Sequence, residues 1–117
     1  MIKGDEFKVI VKAKQLAAHT LKITSNCNHF PKKYRFSLVD KMQNKSLEIY
    51  EMLFEANSIE KNRRFALQSR AINFCDELLF YVELSMEIGI LGMVNVEHWT
   101  KMITDIKYMT LAWRKIS

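Results

Sequence analysis

The chain has 117 residues and a formal charge of +5 at neutral pH, enough length for one domain with a buried core and a charge that suits an acidic partner. At 49% hydrophobic and 26% charged, with three glycines and one proline, it has the composition of long helices and excludes a sheet with many turns. No apolar run approaches the ~20 residues a membrane span needs, and two cysteines without a secretory signal pattern predict a reducing cytoplasm rather than a disulfide framework.

Four segments carry a helical period. The first is expected over residues 5–25, where Val9, Ala13, Leu16 and Ile23 recur at three- and four-residue steps beside Phe7, Ile10, Ala17 and Leu21. It ends before Pro31, because the residue preceding a proline is pushed out of helical geometry. The second, over residues 36–56, places Phe36, Val39, Met42, Ile49, Leu53 and Ala56 in a buried stripe, widened by Leu38, Tyr50 and Phe54. Either Pro31 takes its first helical position, or Ser37 caps it with Asp40 three residues on; a loose turn at Pro31 with regular helix by Ser37 is favoured. On that basis Phe30, Tyr34 and Phe36 pack at a corner rather than stack on bases.

The third helix, over residues 59–88, opens with Asn57 as cap and Glu60 at the third helical position. It carries two adjacent heptad stripes, one through Phe65, Gln68, Ile72, Cys75, Leu79, Val82 and Met86, the other through Leu67, Ala71, Phe74, Leu78, Tyr81, Ser85 and Ile88. Two stripes imply neighbours on two sides. Gly89 and Gly92 close it, and Asn95 caps a fourth helix over residues 96–113, with Val96, Trp99, Ile103, Ile106, Thr110 and Trp113 facing inward. Short connections between long amphipathic helices predict a single all-α domain over residues 1–117, an antiparallel up-down four-helix bundle.

The charges are unevenly placed. Lys8, Lys12, Gln15, His19 and Lys22 make one polar face of the first helix without an acid, a row of roughly 21 Å that would match about six phosphates of a single strand. Lys32, Lys33 and Arg35 follow just beyond it, and residues 1–47 hold ten Lys/Arg against three Asp/Glu. The same row also fits the solvated face of an amphipathic helix. The second helix runs from Lys41 and Lys45 to Glu48, Glu51 and Glu55, and the third from Lys61, Arg63, Arg64 and Arg70 to Glu83 and Glu87. Both orders oppose the helix dipole, so pairing between helices or a partner must account for them. Phe80 and Leu84 lie outside both core stripes, which points to a wide core or, preferably, a contact between protomers.

Motifs for catalysis are missing. Cys27-Asn28-His29 has no second Cys/His pair to complete a structural zinc site, His19 and His98 stand alone, and no Glu-x-x-His pair points to a di-metal bundle. There is no Gly-rich phosphate loop or nucleophile elbow, and Cys75 lies on a core stripe. Neither an enzyme nor a bound metal or cofactor is expected.

The segment FPKKYRFSLVDKMQNKSLEIYEMLFEAN, from Phe30 to Asn57, resembles the start of the second helix in accessory variability determinants of diversity-generating retroelements. Those proteins are similar in fold to proteins encoded by ribosomal-RNA intervening sequences. The Phe-Pro-Lys-x-x-Arg-Phe pattern, the stretch ending Glu55-Ala56-Asn57 and the C-terminal Trp113 carry the resemblance, which extends over about residues 7–113. The intervening-sequence proteins usually carry a Ser-Ile-Pro-Ser-Asn-like stretch where this chain has plain helix, and the retroelement proteins often have Gly-Gly where it has Leu111-Ala112. The resemblance implies a non-enzymatic partner of a reverse transcriptase that forms a ring-like homopentamer and presents basic surfaces to RNA or DNA without reading sequence. The candidate phosphate contacts are then Lys8, Lys12, Lys22, Lys32, Lys33, Arg35, Lys61, Arg63, Arg64 and Arg70, with Phe80 and Leu84 as candidate protomer contacts. A protein-interaction module, or an intervening-sequence-type protein, without a nucleic-acid role is the alternative.

Overall fold

Apolar residues recurring every three to four positions fold into four helices, α1 (Lys3–Thr24), α2 (Asp40–Ser58), α3 (Arg64–Glu87) and α4 (Met93–Ile116). The computed structural model describes the backbone of residues 3–116 and the side chains of residues 7–116, and no strand occurs among the described residues. α1 packs on α2 and α4, α2 on α3, and α3 on α4, so every helix has two neighbours around one core.

α1 buries Val9, Ala13 and Leu16 completely, with Ile10, Ala17 and Ile23 beside them, as its spacing predicts; Phe7 and Leu21 remain exposed. The polar member of this face, Thr24, is satisfied where it lies. Its hydroxyl donates to the Thr20 carbonyl at 2.6 Å and accepts from the Gln43 side-chain amide at 2.9 Å, tying the end of α1 to the start of α2.

The link from α1 to α2 departs from expectation. Helical rotation begins directly after Pro31 (φ −56°, ψ 149°) with a 3₁₀ turn over Lys32–Tyr34, widens into a π-helical turn over Arg35–Val39, and becomes regular α-helix only at Asp40. Ser37 therefore caps nothing; its hydroxyl reaches back to the Tyr34 carbonyl at 3.4 Å. The expected burial of Phe36 is overturned as well, since it is 84% exposed while Leu38, Val39 and Met42 are buried. A π turn holds an extra residue, so a stripe counted at helical steps back from Met42 misses the face on which Phe36 lies. Phe30, by contrast, is buried edge-on to Trp99 with ring centres 6.3 Å apart.

At the other end of α2, Asn57 and Ser58 complete that helix instead of capping the next one. Ser58 donates to the Phe54 carbonyl at 3.0 Å, Ile59 is extended (φ −106°, ψ 172°), and a 3₁₀ turn over Lys61–Arg63 leads into α3. α3 buries the seam between its two stripes, through Gln68, Ala71, Ile72, Cys75, Leu78, Val82 and Ser85. Phe74, Leu79 and Tyr81 are half-buried to either side, as a helix with two neighbours requires, while Phe65, Met86 and Ile88 at the ends are exposed.

α3 ends in a Schellman motif. The Gly89 N–H donates to the Met86 carbonyl at 3.0 Å and the Ile90 N–H to Ser85 at 3.1 Å, with Gly89 at φ +82° where only glycine is unstrained. α4 starts at Met93, so Asn95 lies inside the first turn and the residue before the helix is Gly92, whose carbonyl accepts from Val96 at 3.1 Å. All six expected inward residues of α4 are buried, and Trp99 and Trp113 are the largest side chains in the core.

Candidate nucleic-acid interface

The polar row of α1 borders the seam between α1 and α4 rather than forming one open face. Lys8 and Lys22 are exposed at its ends, but Lys12 is half-buried in a groove of about 220 Å³ shared with Gln15, His98, Lys101 and Asp105. His19 is half-buried too, edge-on to His98 with ring centres 5.2 Å apart and to Trp99 at 5.5 Å. Its Nε2 is shielded without a hydrogen-bond partner among the described residues. Burial first, and then the nearby His98 and Lys22, hold its pKa below the ordinary 6.5, which favours a neutral ring.

The turn after Pro31 presents cations more openly. Lys32, Lys33 and Arg35 are all exposed and make no ion pair among the described residues; Lys33 Nζ lies 5.3 Å from the centre of the Tyr34 ring. Lys32 and Arg35 line a cleft of about 270 Å³ with Thr24, Ser25, Gln43 and Asp40, the last being the acid on that wall. The 3₁₀ and π turns set these side chains out from the molecule because neither the 3₁₀ turn nor Arg35–Ser37 buries a side chain.

The third basic group lies beyond α2, whose 19 residues separate it from the turn by roughly 28 Å. Lys61 and Arg63 are exposed, and Arg70 is exposed with its guanidinium 5.8 Å from the Phe74 ring centre. Arg64 is different. Its Nε donates to the Ile59 carbonyl at 3.2 Å and a terminal nitrogen to the Asn57 carbonyl at 3.5 Å, while the guanidinium lies 5.6 Å from the Trp113 ring centre. It closes the C-terminus of α2, where the last carbonyls lack helical partners, and is half-buried in doing so. The ten candidate cations thus fall into separate groups, and Arg64 is committed to the fold.

Three cations outside the ten candidates are engaged with acids. Lys45 lies 3.3 Å from Glu77 and 3.9 Å from the Phe74 ring centre, Lys107 is 2.7 Å from Asp76, and Lys101 is 3.2 Å from Asp105. The Asp76 hydrogen bond raises the Lys107 pKa. Only Lys101–Asp105 was visible from the sequence, as an i, i+4 pair. The others join α2 to α3 and α3 to α4; of the charges whose order opposes the helix dipoles, Lys45 is the one these pairs account for.

Two further arrangements bear on chemistry. Cys75 is buried and its thiol is pushed up to about 12 by that burial, with Asp76 adding to the effect, so it stays protonated. No group of three or more His, Cys, Asp or Glu side chains able to hold a metal occurs among the described residues. On the other side of the basic turn, Tyr34, Leu38, Lys41, Tyr81, Leu84 and Ile88 line an apolar groove of about 290 Å³. Of the two candidate protomer contacts, Phe80 is 57% exposed and Leu84 is half-buried against the core. No helix among the described residues is long and apolar enough to cross a membrane.

Compared with known proteins, the chain matches no family model, no curated protein and no solved structure.

Proposed function

We propose that this protein is a non-enzymatic, cytoplasmic nucleic-acid-binding accessory subunit of a reverse transcriptase, an antiparallel up-down four-helix bundle that assembles with copies of itself. The observation that carries the nucleic-acid reading is the trio Lys32, Lys33 and Arg35, all exposed within four residues and free of ion pairs among the described residues. Unmatched cations clustered within one turn are poised to displace counterions from phosphates and attract single or double strands without regard to sequence. The antiparallel order is supported by Thr24 meeting Gln43, His19 meeting His98, and Ser69 accepting from Arg114 at 3.0 Å. The polymerase partner and a pentameric ring rest on the resemblance carried by residues 30–57 and Trp113. Assembly is supported by exposed Phe80 and the apolar groove beside it.

The test is binding of labelled RNA and DNA oligonucleotides across a salt series. Affinity should fall steeply with salt, and Lys32→Gln/Lys33→Gln/Arg35→Gln should flatten the log–log slope by about 2 on a single strand. No binding at low salt, or affinity indifferent to salt, would remove the nucleic-acid reading and leave a protein-interaction module.

A further inference from the structure

We infer that Phe36 is a base-stacking platform and that the basic turn takes single-stranded nucleic acid in preference to duplex; this rests on the nucleic-acid reading above. At 84% exposure Phe36 is the most exposed of the aromatic side chains, and it stands in the π-helical turn Arg35–Val39 directly after Lys32, Lys33 and Arg35. Arg35 is its chain neighbour and Lys32 and Lys33 lie in the turn before it, so a strand held by those cations brings its bases close to the ring. An aromatic face set among cations is what single-strand binding needs: the charges track the backbone and the ring accepts any unstacked base. A duplex keeps its bases stacked inside and offers the ring nothing.

The surroundings separate Phe36 from Phe54, Phe65 and Phe80. Phe54 is stacked on Tyr50 at 5.9 Å and stands between Glu51 and Glu55. Phe65 already has the Arg114 guanidinium 5.0 Å from its ring centre, and Phe80 lies edge-on to Tyr81 at 5.4 Å with Glu83 close in sequence. Phe36 has no ring or cation over either face among the described residues, and the nearest acid along the chain is Asp40, one turn on in α2. Charge complementarity therefore favours a polyanion with exposed π-faces over a second copy of this chain as the occupant.

The two native tryptophans, Trp99 and Trp113, are fully buried, so Phe36→Trp introduces an indole at a position where solvent reaches it. Its fluorescence should be quenched by oligo(dT) or oligo(U) and little changed by duplex of equal phosphate count. In parallel, Phe36→Ala should weaken single-strand binding by about five-fold or more while leaving the salt slope and duplex affinity unchanged. If Phe36→Ala binds single strands as tightly as the parent while the triple glutamine variant does not, the platform is wrong and the basic surface stands. If Phe36→Ala instead changes the mass in light scattering, Phe36 is a contact between protomers and the inference is overturned. If the parent protein binds no nucleic acid, the underlying reading fails as well.

Discussion

His19 and His98 face each other edge-on across the α1–α4 seam, ring centres 5.2 Å apart and planes at 75°. Trp99 closes another side of His19 at 5.5 Å, and Lys22 adds a like charge should the ring protonate. Burial, His98 and Lys22 all depress the His19 pKa in the folded protein. The unfolded chain, with an ordinary value near 6.5, therefore takes up the proton first. His19 stabilises the fold fully above that pH, and the contribution is lost as pH falls below it. Urea midpoints should drop between pH 7.5 and 5. His19→Leu should flatten that profile; an unchanged slope in the variant would show that other groups govern it.

Arg64 and its neighbours Lys61 and Arg63 are alike in sequence but not in role. Removing the Arg64 guanidinium leaves the Asn57 and Ile59 carbonyls short of donors, so Arg64→Ala should lower stability by about 1 kcal/mol in urea denaturation. Lys61→Gln and Arg63→Gln should change stability by less than about 0.5 kcal/mol. In oligonucleotide binding Arg64→Ala should leave the salt slope unaltered, since its charge is held against the end of α2.

The two glycines beyond α3 predict opposite outcomes. Gly89→Ala forces a side chain into φ +82° and should cost about 1–2 kcal/mol, although no atom lies within 4 Å of the added carbon. Gly92 sits before α4 with open space around its added carbon, so Gly92→Ser should supply an N-cap and raise stability by a few tenths of a kcal/mol. Thermal melts of both variants provide the check.

Self-assembly through the α3 face is tested by Phe80→Glu. The parent should scatter light as a multiple of 13.8 kDa and the variant as a single copy. A parent that scatters as one copy would remove the oligomer altogether.

Helix positions and most of the core were legible because burial follows the helical period. The α4 stripe from Val96 to Trp113 is buried without exception, and the α3 seam falls between the two expected stripes. Failures cluster where local hydrogen bonding alters the period or supplies a cap from elsewhere. The π turn displaced Phe36, and α2 runs on through Asn57 and Ser58, its end closed by Arg64, so Asn57 caps nothing. The site was less legible than the fold. Spacing along one helix identifies Lys12 and His19 as polar, but only the packing of α4 shows that both border a seam with His98 and Lys101.

The contrast between the two thiols provides a handle for all these measurements. Cys75 is sealed in the core and protonated, whereas Cys27 is exposed on the rim of the cleft lined by Lys32 and Arg35. A maleimide dye or spin label offered to the folded protein would attach at Cys27 alone, beside the basic turn. Distances from that position to a labelled oligonucleotide can then be measured without changing a single residue.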